Sequence, residues 1–199
     1  MVPEAALASL QMMADGHQVR NISDVVLKMD GFLTSSASSR PTQHHYGTGG
    51  LVRHTEEVVK FCLLNNALIG NPVRPSRMFL AALFHDVGKI LDYEEVLDPK
   101  PSTEDGVLPD EADIPKIWRG TEHKKNIHHI TRSALIWNDA ARQFKIENPD
   151  DILHAILAHH GLREWGSPVT PNSKMAWLLH LCDGLSARLD DCLSFDGKR

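Results

Sequence analysis

Apolar residues recur along most of this chain at the three- and four-residue spacing of amphipathic helices, and no useful length alternates with the period of a strand. Over residues 4–31 the pattern runs Leu7, Leu10, Met13, then Ile22, Val25, Val26, Met29. Its break near Asp15–Gly16 predicts two helices or one broken one. Residues 34–50, "TSSASSRPTQHHYGTGG", are rich in Ser, Thr, Gly and Pro and predict a loop. Residues 51–70, "LVRHTEEVVKFCLLNNALIG", predict a strong helix that ends on Gly70. After the "NPVRP" breaker, residues 76–91 predict a largely apolar helix, and helical spacing returns over 126–146, 149–160 and 173–193.

One stretch resists the pattern. Residues 92–125 carry Pro99, Pro101, Pro109 and Pro115 among Glu94, Glu95, Asp98, Glu104, Asp105, Asp110, Glu111 and Asp113. A loop this long and polar inside a compact domain is commonly functional, often a cover over a site. The expected fold class is all-α: a helical bundle with a long loop inserted between two of its helices.

At 199 residues, the chain suits one globular domain with a substantial core. Its 42% hydrophobic and 24% charged residues fit a folded protein. A net charge of −5 provides no global basic field for nucleic acid. Cys62, Cys182 and Cys192 form neither a CxxC pair nor a dense framework and read as reduced thiols. With no apparent signal peptide and no membrane-length apolar run, the expected location is cytoplasmic. The unusual number is 12 histidines.

Their placement changes the picture. "LFHDVGKI" sets His85 and Asp86 side by side in an apolar run. Alone, the pair reads equally well as a satisfied structural histidine with a paired carboxylate, or as metal ligands in a dry pocket. His54 falls in the first turn of the 51–70 helix, His128–His129 open the next, and His159–His160 close another before Gly161. Asp183 lies on the otherwise apolar "LLHLCDGLSARL". The joint order His, His–Asp, His, His–His, Asp favours a metal site built from several helices. Imidazole with carboxylate suits manganese, iron, nickel or zinc. No GxSxG, P-loop or HExxH motif offers another chemistry.

These motifs give the chain a resemblance. "QHHYGTGGLVRHTEEVV", "LFHDVGKI", "HHI", "ILAHHG" and "LLHLCDGLSARL", spread over residues 43–190, resemble the HD-domain metal-dependent phosphohydrolases, and among them the HD domain of YhaM-type 3′→5′ exoribonucleases. The resemblance implies an HD domain over 43–199, with 1–42 as a helical segment packed on it. It implies two divalent ions, manganese first, with iron, nickel, zinc or magnesium as other candidates. His54, His85, Asp86 and Asp183 would hold one ion. Asp86, His129, His159 and His160 would hold the other, with His129 preferred to His128 because it directly precedes an aliphatic residue. Asp86 and Lys89 take the catalytic roles, and Lys89, His44, His45 and Arg132 would meet substrate. Lys89 pairing with acidic residues 94–98 is the competing reading for that lysine.

The implied activity is cleavage of a phosphodiester in an oligonucleotide or nucleotide-derived substrate, by a hydroxide bridging two metals. The expected partner is therefore a phosphate ester, single-stranded nucleic acid included, with no membrane; no feature specifies an oligomeric state. Two alternatives stand beside it: a nucleotidase or triphosphohydrolase acting on mononucleotides, and a nucleic-acid-handling module of relaxase type. YhaM-type enzymes also carry an OB-type module, which residues 1–42 are too short and helical to form. The acidic 92–125 loop does not suit RNA. "HHGLREWGSPVTP" lacks the GYP signature of the cyclic-dinucleotide branch.

Overall fold

Prolines and glycines mark where the helices begin and end. In a computed structural model describing residues 2–99 and 114–192, with side chains as far as Arg188, α1 spans Pro3–Gly16 and α2 spans Arg20–Leu27. Pro3 occupies the first turn of α1, where its missing N–H costs nothing. The break between the helices falls at His17–Val19, with Gln18 at φ 58°. Ala6, Leu10 and Ala14 are buried, and α1 packs on α3 (Gly50–Leu68). Gly70, at φ 81°, follows α3 as its spacing requires.

The helix expected over 76–91 is shorter than the apolar pattern suggests. α4 runs only from Pro75 to Phe84, and a 3₁₀ turn follows over Val87–Leu91. Adjacent residues of a regular α-helix point about 100° apart. Leaving the helix after Phe84 lets His85 and Asp86 face a common centre. Apolar periodicity does not register that change because the whole stretch is buried.

Part of the expected loop is also ordered differently. β1 (Tyr93–Leu97) pairs antiparallel with β2 (Lys116–Gly120), Tyr93 opposite Gly120 and Leu97 opposite Lys116. The hairpin has no apolar face to reveal it. Cross-strand charges match its register instead, Glu94 with Arg119 at 2.9 Å and Glu95 with Lys116 at 3.2 Å. The tip, with Pro101, Glu104, Asp105, Pro109, Asp110, Glu111 and Asp113, lies outside the described residues, as does the side chain of Cys192.

The short α5 (Glu122–Asn126) leads into α6 (His129–Gln143), α7 (Asp150–Ala158) and α8 (Lys174–Cys192). Helices α3, α4, α6, α7 and α8 pack around one apolar core. At its centre Trp137 meets Phe84 edge-on, ring centroids 5.2 Å apart, and its indole N–H donates to Pro149 O at 3.1 Å. The fold is an all-α bundle bearing one hairpin. No helix among the described residues is long and apolar enough to cross a membrane.

Candidate metal centre

Five separate elements deliver side chains to one buried point. His54 comes from α3, His85 and Asp86 from the break after α4, His129 from the first turn of α6, His159 from the end of α7 and Asp183 from α8. The two oxygens of Asp86 face opposite groups. Oδ2 lies 3.2 Å from His54 Nε2 and 3.5 Å from His85 Nε2. Oδ1 lies 3.3 Å from His129 Nε2 and 3.5 Å from His159 Nε2. Asp183 Oδ1 completes the first group, 3.1 Å from His54 Nε2 and 3.6 Å from His85 Nε2.

Ligand atoms of His54, His85, Asp86 and Asp183 all lie within 4.8 Å of one another, and so do those of Asp86, His129 and His159. His160 stands alongside, its ring 4.5 Å from that of His159 and 5.1 Å from that of His129. It groups with His128 and His129, and also with His159 and Asp183. His128 is exposed and serves as the N-cap of α6, its Nδ1 accepting the Ile130 N–H at 3.4 Å. His129, not His128, faces Asp86.

Contacts behind the histidines fix which nitrogen points inward. His85 Nδ1–H donates to Ala82 O and His159 Nδ1–H to Ile156 O, each at 2.7 Å. His54 Nδ1 lies 3.0 Å from Ser186 Oγ, whose hydroxyl donates to Glu57 Oε2 at 2.6 Å. The serine proton is thus committed to the glutamate, which leaves Ser186 Oγ to accept from His54 Nδ1–H. His129 Nδ1 lies 3.7 Å from Asp92 Oδ2. Every Nε2 is left facing the centre, as metal-binding imidazoles require.

The buried charge says the same. Burial pushes Asp86 up, but Lys89 and His85 outweigh it and hold the carboxyl well below its usual range. Burial pushes His85 down, yet Asp86 and Asp183 raise it to about 10. At His160 and His44 burial outweighs the nearby carboxylates: His160 falls to about 3, and His44 to about 4. No hydrogen bond reaches Asp86 Oδ1, His129 Nε2 or His159 Nε2, although all three are buried. Divalent cations would satisfy these atoms and the carboxylate charge together, so the donor set fits them.

Toward solvent, a cavity of about 340 Å³ opens beside the second group, with His44, Lys89, His128, His129 and His160 among its walls. Lys89 does not pair with residues 94–98; its ammonium is 2.6 Å from Asp86 Oδ2. His44 Nδ1 is 3.4 Å from His45 Nδ1, and His45 Nε2 is 3.4 Å from Glu57 Oε2. Arg132 is elsewhere. Its guanidinium donates to Gly88 O, His123 O and Ile127 O and pairs with Asp92. The structure turns its guanidinium toward these four protein acceptors, and Arg132 is not among the residues that line the cavity with Lys89 and His44. A larger hollow, about 410 Å³ between the α1–α2 turn and Phe144, is remote from these ligands.

Asp92, Ser186 and Glu57 were not expected from the sequence. Asp92 sits where an apolar stretch meets an acidic one, and counts there as the first polar residue of a loop. Ser186 and Glu57 do hold positions relative to ligands, one turn from Asp183 and one from His54, which is the signal that could have found them.

The chain is similar to known proteins over most of its length. The chain is 26% identical over 178 residues to the 3′-5′ exoribonuclease YhaM of Shouchella clausii, covering 86% of this chain and 48% of that protein. It is 26% identical over 153 residues to YhaM of Bacillus subtilis, covering 74% and 41%. It is also 26% identical over 165 residues to the dihydroneopterin 2′,3′-cyclic phosphate phosphodiesterase of Methanocaldococcus jannaschii, covering 81% and 55%. The chain thus spans about half the length of these curated relatives. No solved structure matches it. Residues 51–188, which include the six candidate ligand side chains and His160, match the HD domain, and the chain belongs to that family.

Proposed function

We propose that this protein is a divalent-metal phosphohydrolase that cleaves a phosphodiester in an oligonucleotide or nucleotide-derived substrate. The observation that carries the reading is Asp86, one carboxylate whose oxygens face two separate histidine groups. His54, His85, Asp86 and Asp183 would hold one ion, and Asp86, His129, His159 and His160 a second, manganese being the first candidate. Such ions supply Lewis acidity toward a phosphoryl oxygen and activation of water at neutral pH.

The chain's own groups supply the rest. Lys89 holds Asp86 ionised and presents a positive charge to the cavity, where it offsets charge developing on phosphoryl oxygens. His44, kept neutral by burial, can accept a proton at the cavity wall. His45 is steadied by Glu57 and fixes the loop that carries His44. The names of the relatives, one an exoribonuclease and the other a cyclic phosphate phosphodiesterase, support a diester over a monoester.

Manganese-supplemented digestion of end-labelled single-stranded RNA and of matching DNA tests the reading, with Asp86→Ala as control. Products shortening from the 3′ end with the wild type alone are the expected result. Intact RNA and DNA, together with hydrolysis of a nucleoside triphosphate, would overturn it in favour of a nucleotidase.

A further inference from the structure

The cavity beside His129 contains a cation that this chemistry leaves unused. Lys124, on α5, places its ammonium 3.0 Å from Tyr93 Oη and 4.3 Å from the centre of the Tyr93 ring. The helix that carries it is pinned to the metal centre's own support. Thr121 Oγ1 accepts the Lys124 N–H at 3.2 Å and donates to Leu91 O at 2.7 Å, while Thr121 N–H donates to Asp92 O at 2.9 Å. Lys124 is therefore fixed relative to Asp92, and through it to His129.

What surrounds the lysine is unbalanced. Glu94 is matched to Arg119, Glu95 to Lys116, Glu122 to Lys125 at 2.6 Å and Asp92 to Arg132. Among the described residues no carboxylate lies within ion-pair distance of Lys124. Lys89, the other lysine on the cavity wall, is committed to Asp86. Across the same cavity Ser38, only 4% exposed, has a hydroxyl oxygen with no hydrogen-bond partner. A preorganised cation with no counter-ion among the described residues and an unused buried hydroxyl form a receptor for an anion.

We propose that Lys124, with Ser38, is a subsite for a second phosphate of the substrate, one that flanks the diester being cut. The proposal rests on the phosphodiesterase reading above and narrows its substrate class to short single strands carrying such a flanking phosphate. The cavity volume of about 340 Å³ is at the small end of ligand pockets, which suits one nucleotide unit and not a duplex. An arriving phosphate would break no ion pair between Lys124 and the described residues, so its attraction is not spent on displacing any carboxylate among them.

The test compares kcat/KM, with manganese, for the diribonucleotide ApA and for the same dimer bearing one extra phosphate at its 5′ or its 3′ end. One phosphorylated dimer should be preferred by about tenfold, a charge-assisted contact's worth, and the preference should shrink in high salt. Lys124→Gln should bring the ratio of phosphorylated to plain dimer close to one, and Lys124→Arg should largely keep it. A general folding defect would lower both rates and leave that ratio intact. Equal cleavage of the three dimers by the wild type, or a preference surviving Lys124→Gln, overturns the subsite alone. Failure to cleave any of the dimers overturns the subsite; the phosphodiesterase reading falls with it only if the RNA and DNA of the digestion above also stay intact.

Discussion

Asp86 concentrates the chemistry of the site in one residue. Replacement by Asn keeps the shape but removes the charge that both histidine groups face, so Asp86→Asn should lose activity by at least about 100-fold and bind less manganese per chain. Metal analysis and kinetics check this together, with circular dichroism expected to show an unchanged helical content. Asp92 acts one step further out. Asp92→Asn should weaken metal binding or activity by about 10- to 100-fold by loosening His129, and Ser186→Ala should do the same through His54. Titration of manganese into each variant would find a raised dissociation constant, whereas a purely structural role would move only the melting temperature. The candidate ligand histidines and aspartates stand out in the sequence because each interrupts an apolar stretch. Asp92, Glu57 and Ser186 do not, since polar residues near helix ends or loops have ordinary uses and only their distances in space mark them.

The element that makes the pair His85–Asp86 work is the break between α4 and the 3₁₀ turn. Gly88 sits in that turn where a Cβ would come within 2.3 Å of His129 O and 2.9 Å of Ser133 N. Its N–H also donates to the Ser133 side-chain Oγ at 2.9 Å, which ties the turn to α6. Gly88→Ala must push α6, and with it His129, away from Asp86. It should destabilise by about 1–3 kcal/mol and lower kcat/KM far more than Ile152→Val, a core change costing about 0.5–1.5 kcal/mol. Denaturant melts paired with kinetics separate the two; equal activities at equal stability would count against the role given to this turn. Long helices α3, α6, α7 and α8 follow from apolar spacing because each buries one face. The break after Phe84 does not, because both sides of it are buried. Nor does the hairpin, whose strands are held by matched charges and backbone pairing and bury no stripe.

Across the whole molecule, the candidate ligands tie α3, α6, α7, α8 and the break after α4 to one point, where both Asp86 oxygens, His129 Nε2 and His159 Nε2 are buried without a hydrogen-bond partner. In the unfolded chain these residues are far apart in sequence, from His54 to Asp183, so the metal has little to bind there. Folding and binding are then linked. Manganese at about 100 times its dissociation constant should add about 2.7 kcal/mol, which for a chain of this length raises the melting temperature by about 5–10 °C. Thermal melts of chelator-stripped protein, with and without manganese, measure that shift directly, and EDTA should reverse it. The same melts on Asp86→Asn should show a much smaller rise, because the residue shared by both groups can no longer neutralise either ion. A rise of equal size in that variant would place the stabilising metal elsewhere on the molecule and remove Asp86 from the centre of the mechanism.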